Sequence, residues 1–256
     1  MVELRGVSRF FGGVHALEAV SMQVHAAAIH GLIRPNGAGK TTLLNLLTGF
    51  DRPTAGQILL DGRRLDGRPA HHVARLGVAR TFQNIRLFGA LSALDNVRVA
   101  RHPGGLSRSL GRLAFLPAAQ RAEHRERTIA LGLLERVGVD GTHGRPAGTL
   151  SYADQRRVEL ARALATEPRL LLLDEPSAGM NRTETDQLGT TLRDLVLPTR
   201  AILLIEHDLP LIMAICDVVT VLNFGRVIAQ GPPGAVAANP TVIEAYLGRE
   251  DDVAAL

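Results

Sequence analysis

The chain has 256 residues, of which 46% are hydrophobic and 4% aromatic, and its formal net charge is +4. This composition allows one large domain or two small ones with a substantial core. Scattered arginines and scarce aromatic side chains argue against nucleic-acid binding as the primary role. The lone Cys216 excludes an intrachain disulfide and is interpreted as a core residue in a reducing compartment. Residues 209–222, the longest apolar stretch, are interrupted by Pro210 and Asp217 and are too short and too polar to span a bilayer.

The N-terminal region predicts strands followed by a loop and a helix. Residues 2–24 alternate apolar and polar side chains around residues 10–13, which indicates short antiparallel strands joined by a turn. Residues 29–33 are mainly apolar and short enough for a buried strand. Residues 41–49 carry leucines at helical spacing and are predicted to be a helix.

The segment between that strand and helix resembles the phosphate-binding pattern G-x-x-x-x-G-K-[ST]. Its residues, predicted to bind the nucleotide, are Arg34, Pro35, Asn36, Gly37, Ala38, Gly39, Lys40, Thr41 and Thr42. Lys40 is the only lysine among 29 basic Lys and Arg residues, which indicates that a compact ammonium is required between two phosphates. We expect the Thr41 hydroxyl to bind Mg²⁺ and the helix N-terminus to favour the anion.

Arg34 breaks the pattern, because the first position of the loop is normally glycine. A side chain in a turn suited to glycine predicts backbone strain of about 1–3 kcal/mol. A chance glycine-rich turn before a helix is the alternative interpretation of the segment.

The middle of the chain changes from strands to helices. Residues 57–60 and 78–82 are predicted strands, and residues 85–164 have helical character, with Gly138 as a C-cap. Residues 101–118 are consistent either with a short basic amphipathic helix or with a loose surface segment. Apolar runs at 170–173, 201–205 and 218–222 then predict strands buried on both faces. Between the first two of these runs lies a predicted helix, with Thr183 and Asp186 as its capping box.

Polar side chains follow three of the predicted strands. Asp174 and Glu175 end one strand, His207 follows another, and Gln83 follows a third. Ligands bind at the carboxyl ends of strands in open α/β sheets. Asp174 is therefore predicted to hold Mg²⁺, Glu175 to polarise the attacking water, and His207 to sense the γ-phosphate. Gln83 is predicted to reach Mg²⁺ or the water. The structural alternative is that these residues simply terminate strands.

Ser151 and Asp154 fit a capping box at the start of another predicted helix. Capping alone explains this pair. The functional interpretation is that the helix N-terminus faces a phosphate.

The ordered motifs resemble those of the ATP-binding subunits of ABC transporters over almost the whole chain. The resemblance implies ATP and Mg²⁺ as ligands, and Phe11 as the aromatic that stacks on adenine. It implies that Ser151, Tyr152, Ala153 and Asp154 contact ATP bound to a partner subunit, and that residues 177–181 cross the dimer interface. The implied fold is an α/β P-loop NTPase of ABC type, with a mostly parallel core sheet, N-terminal antiparallel strands and an inserted helical subdomain. A single domain spans 1–256, with its core at 1–84 and 165–235, the helical subdomain at 85–164 and a C-terminal tail at 236–256.

Residues 79–88, 151–152, 177–181 and 242–248 are similar to the ATPase subunits of bacterial branched-chain amino-acid importers. That resemblance implies a second ATPase subunit, related or identical, two integral membrane permeases and, indirectly, a periplasmic solute-binding protein. It places the chain peripherally at the cytoplasmic face of the inner membrane and implies no nucleic-acid partner.

Three alternatives remain open at this point. Arg34 and Ala153, which replace family glycines, suggest a degenerate or regulatory subunit whose partner does most of the hydrolysis. Importers of urea or short amides have similar ATPases. A soluble ABC ATPase acting on DNA or ribosomes is the third, but the chain has neither a long coiled-coil insertion nor a tandem ATPase unit.

Overall fold

The computed structural model describes residues 1–34, 39–101 and 117–247, with the backbone alone at 117–119 and 247. The strands are β1 Val2–Phe11, β2 Val14–Val24, β3 Ala28–Ile33, β4 Ala55–Leu60, β5 Arg63–Arg64, β6 Val78–Arg80, β7 Leu170–Asp174, β8 Ala201–Ile205, β9 Val218–Asn223 and β10 Arg226–Gly231. The helices are α1 Lys40–Thr48, α2 Ala70–Arg75, α3 Ala93–Ala100, α4 Pro117–Arg136, α5 Tyr152–Leu164, α6 Arg182–Asp194, α7 Leu209–Ile215, α8 Pro233–Ala237 and α9 Pro240–Leu247.

A six-stranded sheet in the order β10-β9-β3-β8-β7-β6 forms the centre of the fold. Its strands pair in parallel except for β10, which is antiparallel to β9. The apolar runs predicted to be buried strands are β7, β8 and β9, and every residue of β7 and β8 is buried. Ile205 is in register with both Leu32 and Asp174, so the carboxyl ends of β3, β8 and β7 lie at the same edge of the sheet.

A second sheet of four antiparallel strands, in the order β2-β1-β4-β5, contains the predicted N-terminal hairpin. Strands β1 and β2 have 10 and 11 residues and are longer than the short strands predicted. The leucines of α1 are buried in one cluster with side chains from both sheets, including Leu4 and Leu203. The apolar face of α1 therefore packs between the sheets and fixes where the helix begins.

Helices α3, α4 and α5 lie between β6 and β7 in the chain. As predicted, Gly138 ends α4: its φ is +76°, and Gly138 and Val139 donate backbone hydrogen bonds to Glu135 and Leu134, the pattern of a Schellman cap. The two alternatives for residues 101–118 lie almost entirely outside the described residues. No helix among the described residues has both the length and the apolar character that a bilayer span requires.

Two local predictions were wrong. Strand β6 ends at Arg80 rather than at residue 82, because the chain leaves the sheet before Phe82. The N-cap of α6 is Asn181, whose side chain accepts a hydrogen bond from the Glu184 backbone, and the Glu184 side chain accepts one from the Asn181 backbone. Thr183 is inside the helix, so the predicted Thr183–Asp186 capping box does not form.

Candidate functional site

The phosphate loop ends at Gly39, which is the N-cap of α1. Gly39 has φ +143°, and a Cβ there would lie 3.0 Å from Leu222 Cδ2 and 3.2 Å from the Ala16 carbonyl oxygen. Only glycine satisfies both the conformation and the close packing. Residues Pro35, Asn36, Gly37 and Ala38 are outside the described residues, so their nucleotide contacts remain predictions.

Lys40 is only 7% exposed, and its ammonium donates a hydrogen bond of 2.7 Å to Glu175 Oε1. The two residues are 135 positions apart, and they meet because β3 and β7 both end at this edge of the sheet. Burial alone would raise the pKa of Glu175, but the hydrogen bond and charge of Lys40, with the charges of His207 and Arg34, hold it below its ordinary value. Glu175 is therefore a carboxylate at neutral pH.

Two further predicted residues surround the same carboxylate. Gln83 Nε2 donates to Glu175 Oε2 at 3.3 Å, and His207 Nδ1 lies 3.9 Å from that oxygen. His207 is exposed, whereas the neighbouring Glu206 is fully buried and accepts hydrogen bonds from the backbones of Ser177 and His207. Glu175 itself has φ +49°, an uncommon value for a non-glycine residue. Lys40, Gln83 and His207, which were predicted from separate parts of the sequence, thus converge on Glu175.

Asp174, the predicted Mg²⁺ ligand, accepts a hydrogen bond of 2.9 Å on Oδ2 from Arg80. Arg80 also donates to Asn45 Oδ1 on α1 at 2.8 Å, so it ties the strand end to the phosphate-loop helix. No group of three His, Cys, Asp or Glu residues with metal-ligand geometry occurs in the described part of the chain. The donor set still fits Mg²⁺, because this ion is commonly held by one carboxylate together with a hydroxyl, waters and substrate phosphates. Asp174 and the exposed Thr41 would supply the protein ligands.

Phe11 is 47% exposed at the end of β1, as a base-stacking residue must be. The Arg9 guanidinium lies 4.4 Å from the ring centroid, and Asp51 holds Arg9 through contacts of 2.9 Å. Arg9 covers one face of the Phe11 ring, and stacking of adenine on Phe11 stays a prediction.

The predicted signature segment starts helix α5. Ser151 is the N-cap and accepts a hydrogen bond of 3.1 Å from the Asp154 backbone, which confirms the Ser151 half of the predicted capping box. Tyr152 is exposed, whereas Ala153 is only 6% exposed, so its methyl group packs within its own chain. The contact of this helix N-terminus with a phosphate stays a prediction.

Comparison with known proteins decides the family. The model of the family described as "ABC transporter" matches residues 17–178. The model described as "Branched-chain amino acid ATP-binding cassette transporter" matches residues 226–252. The chain belongs to the ABC transporter family.

Curated relatives and solved structures agree with this assignment. The chain is 45% identical over 249 residues to the high-affinity branched-chain amino acid transport ATP-binding protein BraF of Pseudomonas aeruginosa, covering 97% of this chain and 98% of the relative. It is 42% identical to the corresponding protein LivG of Escherichia coli K12, with the same coverage. The crystal structure of a nucleotide-free ATP-binding cassette from an ABC transporter superposes with a TM-score of 0.83 at 27% identity, covering 97% of this chain and 99% of that structure. The resemblance and the predicted fold class are confirmed.

Neither departure from the ABC pattern obstructs the described site. Arg34 is not among the described non-glycine residues with positive φ, and the turn that follows it lies outside the described residues, so the predicted backbone strain stays a prediction. Ala153 is buried in its own chain, at 6% exposure. These observations do not favour the degenerate-subunit alternative.

Two arginines of the site were assigned no role from the sequence. Arg80 contacts Asp174, and Arg156 on α5 donates to the backbone carbonyl of Phe82. Arginine is usually a surface residue, and no local pattern marks one that is buried against distant acceptors. The only available signal was the position of Arg80 at the end of an apolar strand.

Proposed function

We propose that this chain binds and hydrolyses ATP as the peripheral subunit of an importer for branched-chain amino acids. The observation that carries the proposal is the convergence of Lys40, Gln83 and His207 on the Glu175 carboxylate at the carboxyl edge of the parallel sheet. We retain the proposed division into a core at 1–84 and 165–235, a helical subdomain at 85–164 and a C-terminal tail at 236–256.

Each residue has a defined task in phosphoryl transfer to water. Lys40 releases Glu175 and donates to the outer phosphates, which neutralises charge that develops on them. The freed Glu175 carboxylate accepts a proton from the attacking water. Gln83 and His207 orient that water and the γ-phosphate. Asp174 and Thr41, with Gln83 as the third predicted ligand, would hold Mg²⁺, which would supply positive charge that offsets the charge of the phosphates.

The proposed partner at the site is a second ATPase subunit, related or identical. The N-terminus of α5, with residues 151–154, is exposed at Ser151 and Tyr152 and would present its N–H groups to ATP on that partner. The chain would work with two membrane permeases and, indirectly, a periplasmic solute-binding protein, on the cytoplasmic face of the inner membrane.

The solute class rests on relatives named for branched-chain amino acid transport and on the C-terminal family match. The assembled transporter, reconstituted with its solute-binding protein, should take up leucine, isoleucine or valine when ATP is supplied. Uptake of urea or short amides in place of these amino acids would contradict the proposed solute.

The catalytic proposal is tested by the Glu175→Gln substitution in steady-state phosphate release. Turnover should fall by at least about 100-fold, because the amide cannot accept the proton, while binding of labelled ATP persists. The matched control is Glu135→Gln, an exposed glutamate at the end of α4, which should leave turnover unchanged. Undiminished turnover in Glu175→Gln would exclude Glu175 as the base.

A further inference from the structure

Arg156 is a charged side chain that is only 5% exposed and lies on helix α5, one turn after the signature segment. Its guanidinium donates to the carbonyl oxygen of Phe82 at 2.7 Å and also to that of Gln83. The acceptors lie more than 70 residues away in sequence. A planar fork of donors suits two successive carbonyls in a way that the single ammonium of lysine does not.

The segment held by Arg156 is the one that carries Gln83 to the catalytic carboxylate. It leaves the sheet after Arg80, and the Gln83 side chain then reaches Glu175 at 3.3 Å. Arg162, further along α5, donates to the carbonyl of Arg86. Arginines of helix α5 therefore hydrogen-bond to both ends of the segment 82–86.

Arg156 is also tied to the signature segment. Its Nη2 donates to the Tyr152 hydroxyl at 2.8 Å, one helical turn earlier. The Tyr152 ring packs directly on Gly179, where a Cβ would lie 2.9 Å from Tyr152 Cε1. Gly179 belongs to residues 177–181, which the family resemblance places at the dimer interface. One guanidinium thus joins the segment that carries Gln83 to Tyr152, whose ring packs on Gly179.

Burial makes this arrangement rigid. Glu159 lies 3.4 Å from Arg156 Nη1, and both side chains are buried. Burial raises the pKa of Glu159, and the charge of Arg156 offsets that rise only in part. A buried arginine with carbonyl, hydroxyl and carboxylate partners cannot move without leaving several of them unsatisfied.

We propose that Arg156 is a positioning residue that fixes Gln83 against Glu175 and couples this geometry to the signature helix. The inference rests on the proposed ATP hydrolysis. Arg156 acts through Gln83 and does not contact Lys40 or Gly39 in the described part of the chain, so it should affect the chemical step and leave nucleotide binding intact. A shift of about 1 Å in a catalytic group is enough to slow the chemical step substantially.

The test is a double-mutant cycle measured in the assembled transporter. Arg156→Gln should lower kcat by at least about tenfold and change KM for ATP by less than about twofold. In a Gln83→Ala background, the same substitution should lower kcat by less than about twofold further, because the group it positions is gone. Full additivity of the two effects, or an unchanged kcat in Arg156→Gln, would overturn the inference.

Arg200→Gln is the matched control for loss of a buried arginine. Arg200 is also buried and donates to two backbone carbonyls, those of Pro168 and Leu195, away from the site. It should lower stability and leave kcat of the folded complex unchanged; an equal loss of kcat would show that Arg156 acts only through general stability. If Arg156→Gln does not fold, Arg156→Lys keeps the charge and should show a smaller fall in kcat, with the same non-additivity.

Failure of the inference can be separated from failure of the proposed function. If Glu175→Gln abolishes turnover and folded Arg156→Gln retains it, Glu175 is catalytic and the positioning role is wrong. If the unmodified transporter releases no phosphate, the proposed hydrolysis itself fails.

Discussion

Two buried cations at the site differ in the number and kind of their partners. Among the described residues, Lys40 has one carboxylate partner, Glu175, whose side chain is 18% exposed. Arg156 has two carbonyls, a hydroxyl and a carboxylate, and its side chain is 4% exposed. An ammonium with one partner exchanges it readily for a phosphate, whereas a guanidinium with four partners stays in place. The comparison separates a group that binds substrate from a group that holds the site in shape.

The largest difference between loss of Arg156 and loss of Lys40 should appear in the stability of the nucleotide-free protein. Arg156→Ala removes the nearer of the two cations beside the buried Glu159 and leaves two carbonyls without a donor, so the free energy of unfolding should fall by about 3–5 kcal/mol. Lys40→Ala should lower it by about 1 kcal/mol, because water can reach Glu175. Denaturant unfolding of both variants measures the difference. Equal losses would contradict the distinction between an exchangeable cation and a fixed one.

A smaller effect is expected in how the Lys40–Glu175 pair's contribution to the free energy of unfolding depends on pH. The pKa of Glu175 is lower in the folded chain than in the unfolded chain, where it is about 4.3. Above the unfolded pKa, the pair therefore makes its full contribution to the stability of the fold. This contribution is lost as the pH falls through the lowered folded pKa. The stability difference between the unmodified chain and Glu175→Gln, about 1 kcal/mol at pH 7, should be flat down to about pH 5 and shrink in more acid solution. A difference that grows on acidification would show that the pKa is raised.

The smallest expected effect concerns the hydroxyl that Arg156 contacts. Tyr152→Phe removes this one acceptor while the ring still packs on Gly179, so stability should fall by about 0.5 kcal/mol. Urea unfolding of the variant provides the measurement. A loss as large as that of Arg156→Ala would mean that the tyrosine hydroxyl, and not the carbonyl contacts, holds the arginine.

The strands and the catalytic cluster were predictable because their signals are local. Strands β7 and β8 are runs of apolar residues that end in polar ones, and parallel strands bring such ends to one edge. Lys40 stood out because it is the only lysine. These features need no knowledge of distant contacts.

The buried arginines, the cap of α6 and the end of β6 could not be predicted from the local sequence. Arg80 and Arg156 are buried because carboxylate and carbonyl acceptors happen to lie beside them, and their neighbours in sequence do not show this. The cap of α6 was misassigned because Asn181–Glu184 and Thr183–Asp186 both fit the spacing of a capping box, and the turn geometry selects the first pair. Strand β6 ends near the predicted position, since Thr81 still donates a backbone hydrogen bond to Leu172 of β7, and such short differences at a strand end are not visible in the sequence pattern.

Substitution of Lys40 by arginine tests the central claim most directly, because this chain uses arginine at every other basic Lys or Arg position. Titration with labelled Mg·ATP should show that Lys40→Arg, like Lys40→Ala, loses at least about 100-fold in affinity, or about 2.7 kcal/mol. The folded state should be retained, since neither substitution touches the Arg156 contacts. If Lys40→Arg or Lys40→Ala binds Mg·ATP as tightly as the unmodified chain, Lys40 is not the group that binds the phosphates.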